Sequence, residues 1–542
     1  AQRDDSMMFT LISEVHAHWP PLAWVAELVA GHTAVKLRHG RRVETTCDWC
    51  CEAVWNGEYI DGDFDRTDVI AGSGVRVRDN MVTFVSSGST VDRLQVLRND
   101  GRVLVSNSLV SLLAQANASL YPEYRYYTTA FYTVIKGLDQ YVRMIPSSAG
   151  DVEMCYFENL VWDGHSLARV DKPNGSRDFS HFDAYDQFLS SALAAVVRNM
   201  RDPRRTAIYK LMGTLSRGYD STMCAALMKP LGLEQVICFE RSNMRDDGRA
   251  NARVLGLTPI TIDLNRWRKC ELPEVPFIAG DGIAEEVHYR CAEEVLAGTL
   301  LITGYHGDKV WERETPYTAR TLIRGDMSGM SLTEYRLWIG FIHCPIAFFG
   351  ARQVADIKSI SNSAEMQPWS VGGHYDRPIC RRIIERAGLP RKAFGMTKGW
   401  ASRWFVIQPE YLTDKSKKRF LTWLRGHRWR WIRRGRIPPR LSVQFDRWRL
   451  RALVAFSERL IRLPGYERFK VWRFRWLKFL THPDTNLHEL PLYGFRRYVV
   501  PWAVHEAKQR YTVPDADSRA NSDGGSSIPE PRSLRDPSKA GA

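Results

Sequence analysis

The stretch Leu215-Ser216-Arg217-Gly218-Tyr219-Asp220-Ser221-Thr222 is a polar, glycine-containing turn between an extended apolar segment, Ala207 to Leu215, and a helical one, Thr222 to Met228. A strand that breaks into such a turn and then a helix aims backbone N–H groups and a helix N-terminus at one point, a place for a pyrophosphate. Ser216, Ser221 and Thr222 add hydroxyl donors, and Asp220 adds a carboxylate of the kind that holds Mg2+ against phosphate oxygens. An ordinary Ser/Asp helix cap uses the same residue types, so the string gains meaning only from its surroundings.

Those surroundings alternate strand and helix. Val236 to Phe239 reads as a short buried strand, Arg249 to Leu255 as a helix and Pro259 to Ile262 as a strand; a longer helix from Ile283 to Ala297 and the strand Leu300 to Thr303 follow. This order predicts a parallel sheet with ligands at the carboxyl ends of its strands. A second turn, Ile302-Thr303-Gly304-Tyr305-His306-Gly307-Asp308-Lys309, places another acid, Asp308, in a glycine-bearing loop at the same sheet edge. Two acids from separate strand ends are what a Mg-pyrophosphate needs.

The rest of the chain sorts by composition. Its 542 residues exceed what one core serves, which favours two or three domains. Residues 1–184 mix short apolar runs with turn pairs such as Asn56-Gly57 and Asp163-Gly164, and Arg93 to Leu97 with Arg102 to Val105 reads as a hairpin. This segment is a β-rich domain with helices near Leu109 to Ala118 and Tyr124 to Val134. Residues 185–412 form the αβ domain, mainly helical after about 315, with a helix from Arg377 to Ala387. The longest apolar stretch, Leu337 to Gly350, contains His343 and Pro345 and reads as a buried helix rather than a membrane span.

Charge marks a third region, 413–512. From Lys415 to Lys478 there are 21 Lys and Arg against three acids, a balance of +18, while the remainder of the chain holds 55 bases and 58 acids. Trp423, Trp429, Trp431, Trp448, Trp472 and Trp476 are interleaved with the arginines. Such mixing suits RNA, through phosphate pairing and stacking, or an anionic membrane surface; aromatics packed on the protein body under a solvated basic face give the same pattern. The tail, 513–542, has the composition of a disordered segment. The first ten residues lack a secretory pattern, and scattered cysteines suit reduced thiols, so the expected location is the cytoplasm, with peripheral membrane contact through 415–478 as one reading. Cys47, Cys50 and Cys51 have CxxC spacing without the further ligands a zinc site needs.

The two turns carry a resemblance. The first is similar to the SGGxDS pyrophosphatase loop of the asparagine synthetase family, and the second resembles that family's SGxGxDE loop, over roughly residues 185–400. Residues 90–165, with Ser106-Asn107-Ser108-Leu109, look like a worn version of the preceding class II amidotransferase domain. The resemblance implies an α/β protein: an Ntn-like remnant, then a parallel-sheet synthetase domain of the adenine-nucleotide alpha-hydrolase kind, then a basic, mainly helical extension. It implies that Leu215, Ser216, Gly218, Ser221 and Thr222 hold ATP, that Thr303 and Gly304 lie near its α-phosphate, and that Asp220 and Asp308 bind Mg2+. By the same resemblance Lys398, in Met396-Thr397-Lys398-Gly399-Trp400, would take the role of the family's late pyrophosphate lysine, one position off its commonest register, a surface lysine being the other reading.

Departures from the family pattern define the remaining catalytic candidates. Arg217 stands where the loop has a second glycine and either crowds the phosphates or adds a positive charge. Tyr305 and Lys309 replace carboxylates, which removes an acid suited to deprotonating ammonium; His306 is the alternative base. The first cysteine is Cys47, so the family's glutaminase is not expected. The implied activity is an AMP-forming ligase that adenylates a carboxylate and passes it to an amine donor, supplied by the substrate itself or by a partner protein of the same biosynthetic pathway. An RNA-modifying enzyme using the same loop, and a non-catalytic binding protein in which Arg217 and Lys309 have ended turnover, are the other readings.

Overall fold

Trp24, Ala26 and Leu28 alternate with Val25 along one strand, and that period of two turns alternate side chains to opposite faces. The computed structural model describes residues 8–122, 124, 126–173, 175, 177–240, 248–313, 322, 327–373, 375–396, 412–426, 448 and 498–512. Its N-terminal strands are β1 (Thr10–Val15), β2 (Trp24–Val29), β3 (Ala34–His39), β4 (Glu44–Thr45), β5 (Trp49–Trp55), β6 (Ile70–Arg78), β7 (Met81–Val85), β8 (Leu94–Asn99), β9 (Arg102–Ser106), β10 (Met144–Ser147), β11 (Gly150–Cys155), β12 (Asn159–Trp162) and β13 (Leu167–Val170). They form a seven-stranded sheet, β1-β3-β2-β9-β8-β11-β10, and a six-stranded sheet, β13-β12-β7-β6-β5-β4. The predicted hairpin is β8 and β9, with Leu97 opposite Leu104. Trp24, Leu28, Leu37 and Val96 of the first sheet share a core with Val75, Phe84, Leu160 and Trp162 of the second. On the other face Val25, Leu97 and Leu104 pack toward α1 (Leu109–Gln115); α2 (Tyr127–Tyr132) follows.

The predicted helix from Tyr124 is shorter than expected and ends in a 3-10 turn over Thr133–Lys136. The three clustered cysteines do not converge: Cys47 is exposed, whereas Cys50 and Cys51 are neighbours on one strand and enter different cores.

From α3 (Phe182–Met200), whose Phe182, Tyr185, Leu189, Leu193, Val196 and Met200 recur at helical spacing on its buried side, the same core runs into a parallel sheet. The chain passes through β14 (Lys210–Thr214), α4 (Tyr219–Met228), β15 (Gln235–Glu240), α5 (Arg249–Val254), β16 (Thr258–Asp263), α6 (Val275–Asp281), α7 (Glu293–Leu296), β17 (Thr299–Thr303), α8 (Gly307–Val310), α9 (Leu332–Ile339), β18 (Ile342–Pro345), α10 (Val354–Asn362) and α11 (Pro378–Arg386). The sheet is five-stranded in the order β16-β15-β14-β17-β18, with every pair parallel. Later strands add on opposite sides of β14, so the order reverses between β14 and β17. A crevice for ligands opens at the carboxyl ends of such a pair. The described residues up to Tyr511 form one compact unit.

Two expected elements differ. The helix over Ile283 to Ala297 is instead α6, placed earlier, then a 3-10 segment Val287–Ala292 and the single turn α7. Gly282, at φ +81°, ends α6, and the Asp281 carboxylate accepts the N–H groups of Ile283 and Ala284, with Ala284 itself at φ +59°. Within Leu337 to Gly350, the expected buried helix stops at Ile339, Gly340 turns left-handed at φ +84°, and Ile342–Pro345 becomes β18. All four residues of β18 are buried. A strand covered on both faces lacks the alternation that distinguishes it from a buried helix.

In the basic region, the described residues include α12 (Asp414–Gly426) and α13 (Val499–Lys508). α12 turns Ser416, Phe420 and Leu424 inward, where Phe420 meets Trp502 at 5.3 Å and Arg419 pairs with Glu506 at 3.0 Å. The buried Glu274 carboxylate accepts the Thr413 N–H and the Ser416 hydroxyl, fixing the start of this helix. Lys415, Lys418 and Arg425 face outward. The rest of the +18 segment, apart from Trp448, lies outside the described residues.

Candidate functional site

The first loop is tied together by its hydroxyls. Leu215 is buried and its N–H continues the sheet to the Ile237 carbonyl at 3.0 Å. Ser221 Oγ accepts the Ser216 N–H at 3.1 Å and lies 2.9 Å from Ser216 Oγ, which accepts the Gly218 N–H at 3.0 Å. Thr222 is buried, with its hydroxyl 2.6 Å from the Gly218 carbonyl and 3.1 Å from that of Ser216. Ser216, Gly218 and Ser221 therefore stand at the head of α4, while Thr222 braces the loop from behind. The Tyr219 N–H donates to the Tyr375 hydroxyl at 3.4 Å. Arg217 is exposed; its Nε donates to the Ala393 carbonyl at 3.4 Å and its own carbonyl accepts the Gly395 N–H at 2.8 Å.

The second loop lies hard against the first. A Cβ on Gly304 would stand 2.6 Å from the Asp220 Cβ, and one on Gly307 would stand 2.6 Å from the Asp220 carboxylate. Any side chain at either position would push Asp220 aside, which is a physical reason for both glycines. Thr303 is buried, with its Oγ1 2.8 Å from His343 Nε2 on β18. The Tyr305 hydroxyl donates to that of Tyr289 at 3.2 Å, and its ring meets His343 edge-on at 5.7 Å. His306 adopts φ +73° and stacks on Phe348 at 4.5 Å and 10°. Tyr305, in place of the family's acid, thus faces Tyr289, and His306, the alternative base, is buried against Phe348.

The two carboxylates are already engaged. Asp220 pairs with Arg377, and Asp308 with Lys309 at 2.8 Å. Burial pushes the Asp220 carboxyl above the usual carboxylate range; Arg377 opposes this, and the nearby charges of Asp308 and Glu312 reinforce it. Burial conversely lowers the Lys358 amine, with Glu312 opposing and Lys309 adding to the shift. Asp220, Asp308 and Glu312 thus share one neighbourhood with Arg377, Lys309 and Lys358.

Sequence reasoning placed Arg377 at a helix start and missed its contact with Asp220; an arginine before Pro378, where a helix begins beside the loop, is the available signal. Tyr375, Lys358 and Glu312 were missed as well. Arg381 and Arg382, farther along the same helix, pack against aromatic rings. Arg381 donates to the Tyr219 hydroxyl and lies over the Tyr219 and Phe394 rings, while Arg382 covers Phe182 at 3.8 Å and Trp369 at 4.6 Å. Lys398 lies outside the described residues.

No protein-family model matches the chain, and no curated protein matches it. A similar solved structure is the predicted subunit of tRNA methyltransferase from Methanocaldococcus jannaschii, 18% identical over 28% of this chain and 76% of that one, with a TM-score of 0.16. At that score the likeness carries no argument about function. The class established by the fold itself is α/β: a β-rich N-terminal part and a parallel sheet whose switch point carries the two loops. Among the described residues, no helix is long and apolar enough to cross a membrane.

Proposed function

We propose that this chain is an ATP-dependent, AMP-forming ligase that activates a carboxylate and transfers it to a nitrogen nucleophile. The carrying observation is the meeting of Asp220 with Gly304 and Gly307 at the point where the sheet order reverses. The donor set fits a Mg-triphosphate: two hard carboxylate oxygen donors, the hydroxyls of Ser216 and Ser221, and the head of α4. Among the described residues no group of three or more His, Cys, Asp or Glu forms a metal site alone. Asp220 and Asp308 would therefore share Mg2+ with phosphate oxygens. When bound, the metal supplies positive charge against the leaving pyrophosphate. The chain's own part is to orient the triphosphate at the first loop and hold the carboxylate in line with the α-phosphate. Carboxylate-dependent exchange of labelled pyrophosphate into ATP, with AMP formed when an amine is added, tests this reading. A second reading, a nucleotide-binding protein without turnover, draws support from the Lys309–Asp308 pair; ATP binding with no AMP from any carboxylate and amine tried would favour it.

No glutaminase is expected. A thiol nucleophile needs exposure and a thiolate near neutral pH. Burial raises the thiols of Cys155, Cys224, Cys291, Cys344 and Cys380, while exposed Cys47 donates its thiol to the Asp48 carboxylate at 3.8 Å. Incubation with glutamine should release no glutamate above a blank; release abolished by Cys47→Ser would overturn this.

The anionic partner is read from α12. Its apolar side is used by the body, so charge is what the helix offers outward, and that favours a polyanion over insertion into a bilayer. RNA binding by the full chain should weaken steeply with added salt, since counterion release governs such contacts. Lys415→Glu with Lys418→Glu should weaken it further, about tenfold at low salt. Binding indifferent to salt would remove the proposal.

A further inference from the structure

Arg377 makes a contact that competes with the metal. Its side chain is 2% exposed and pairs with Asp220, the carboxylate assigned to Mg2+. Its Nε is buried without a hydrogen-bond partner among the described residues. The guanidinium lies 5.0 Å from the centre of the Tyr375 ring, whose hydroxyl receives the N–H at the head of α4, where a phosphate would rest. Lys309 holds Asp308 in the same way, and Lys358, reaching the Glu312 carbonyl at 3.3 Å, stands within electrostatic reach of Asp308, Lys309 and Arg377.

Asp220 cannot serve both an arginine and a divalent cation in full. A buried guanidinium that loses its carboxylate must find another anion, because an unpaired buried charge is strongly unfavourable. The nucleotide brings phosphate oxygens to this spot, whereas the neighbouring Asp308 is itself assigned to the metal. Resting on the nucleotide reading above, we propose that Arg377 is a phosphate-binding residue coupled to metal binding by exchange: Asp220 passes from Arg377 to Mg2+, and Arg377 passes from Asp220 to the phosphates. Its planar fork suits a phosphate, and the unpartnered Nε supplies a donor already in place. The exchange makes the metal alone a weak ligand, since it must displace Arg377 without bringing an anion to receive it. The metal–nucleotide complex binds well because it supplies both partners at once, a coupling of the ordinary size for linked sites.

The test uses the full chain, with Mn2+ followed by the resonance of the free ion, and the preformed complex of Mn2+ with α,β-methylene ATP followed by calorimetry. Arg377→Met should bind Mn2+ alone about tenfold more tightly than wild type and bind the complex at least about tenfold more weakly, on the scale of one charge-assisted contact. These opposite shifts distinguish exchange from general damage. Arg377→Lys, which keeps a cation beside Asp220 and so guards against misfolding, should still bind the complex several-fold more weakly than wild type. Unchanged or weaker Mn2+ binding by Arg377→Met, or equal affinity of Arg377→Lys for the complex, overturns the exchange. Failure of wild type to bind the complex at all overturns the nucleotide reading beneath it.

Discussion

Asp220→Asn and Asp308→Asn should each reduce carboxylate-dependent ATP–pyrophosphate exchange at least about a hundredfold, the scale of one strong transition-state contact. Either change leaves phosphate charge uncompensated in a partly dehydrated crevice, where Coulomb terms far exceed those in water. Both side chains act on one ion, so the double variant should be little worse than either single one. The structure adds an asymmetry. Asp220→Asn also strips the buried Arg377 of its carboxylate, whereas Asp308→Asn releases only the partly exposed Lys309. Asp220→Asn should therefore lower stability as well as exchange. Ser216→Ala removes a hydroxyl that accepts the Gly218 N–H, one neutral bond among several, and should cost far less. Arg217→Gly should retain exchange, because the Arg217 side chain bonds the Ala393 carbonyl. Exchange rates within a few-fold of wild type for both aspartate variants would remove the assigned roles.

Much of the αβ part was legible because its signals are local. A polar turn after an apolar run locates the end of β14, and Gly304 with Gly307 around Asp308 locates the end of β17. The glycines carry more than the sequence could say: each makes room for Asp220, a residue more than eighty positions earlier. Elements buried on both faces were harder. β18 is buried throughout, His343 included, and nothing in Ile342 to Pro345 states a period. The Ile283 to Ala297 segment keeps helical composition, yet its start is taken up by the Asp281 carboxylate, which accepts the Ile283 and Ala284 N–H groups, and by the positive φ of Ala284, local effects that a periodic pattern averages away. The engagement of the site carboxylates was out of reach for another reason. Asp220 and Arg377 are separated by 157 positions, and only the return of α11 to the head of α4 brings them together. A charge pattern along the chain records which ions exist, but not which ones meet.

The same limit hid the network that joins the β-rich part to the αβ part, and its removal should have the largest effect on folding. Arg336 of α9 is 1% exposed; it grips Glu52 of β5 through two bonds of 2.6 and 3.1 Å and reaches Asp92 at 3.0 Å. Glu52, itself fully buried, also accepts the hydroxyl of Ser73 at 2.6 Å and the amide of Asn107 at 3.2 Å. Arg336→Met leaves two buried carboxylates facing each other without a cation, which costs about 3–5 kcal/mol. Denaturant unfolding should show the loss, and Glu52→Gln in the same chain should recover a good part of it, because the pair is coupled. The pH dependence gives an independent sign. Burial already raises the Glu52 carboxyl, and Arg336 is the largest influence holding it down. Without Arg336 the folded-state value rises further above the unfolded one, so the folded variant binds the extra proton. Stability tied to that proton is complete below the unfolded carboxylate range and is lost as pH climbs through the folded value. Arg336→Met should therefore come closest to wild type in mildly acidic buffer and fall away toward alkaline pH. A deficit below about 1 kcal/mol, or one that grows as pH is lowered, would show that the network is not what ties the two parts together.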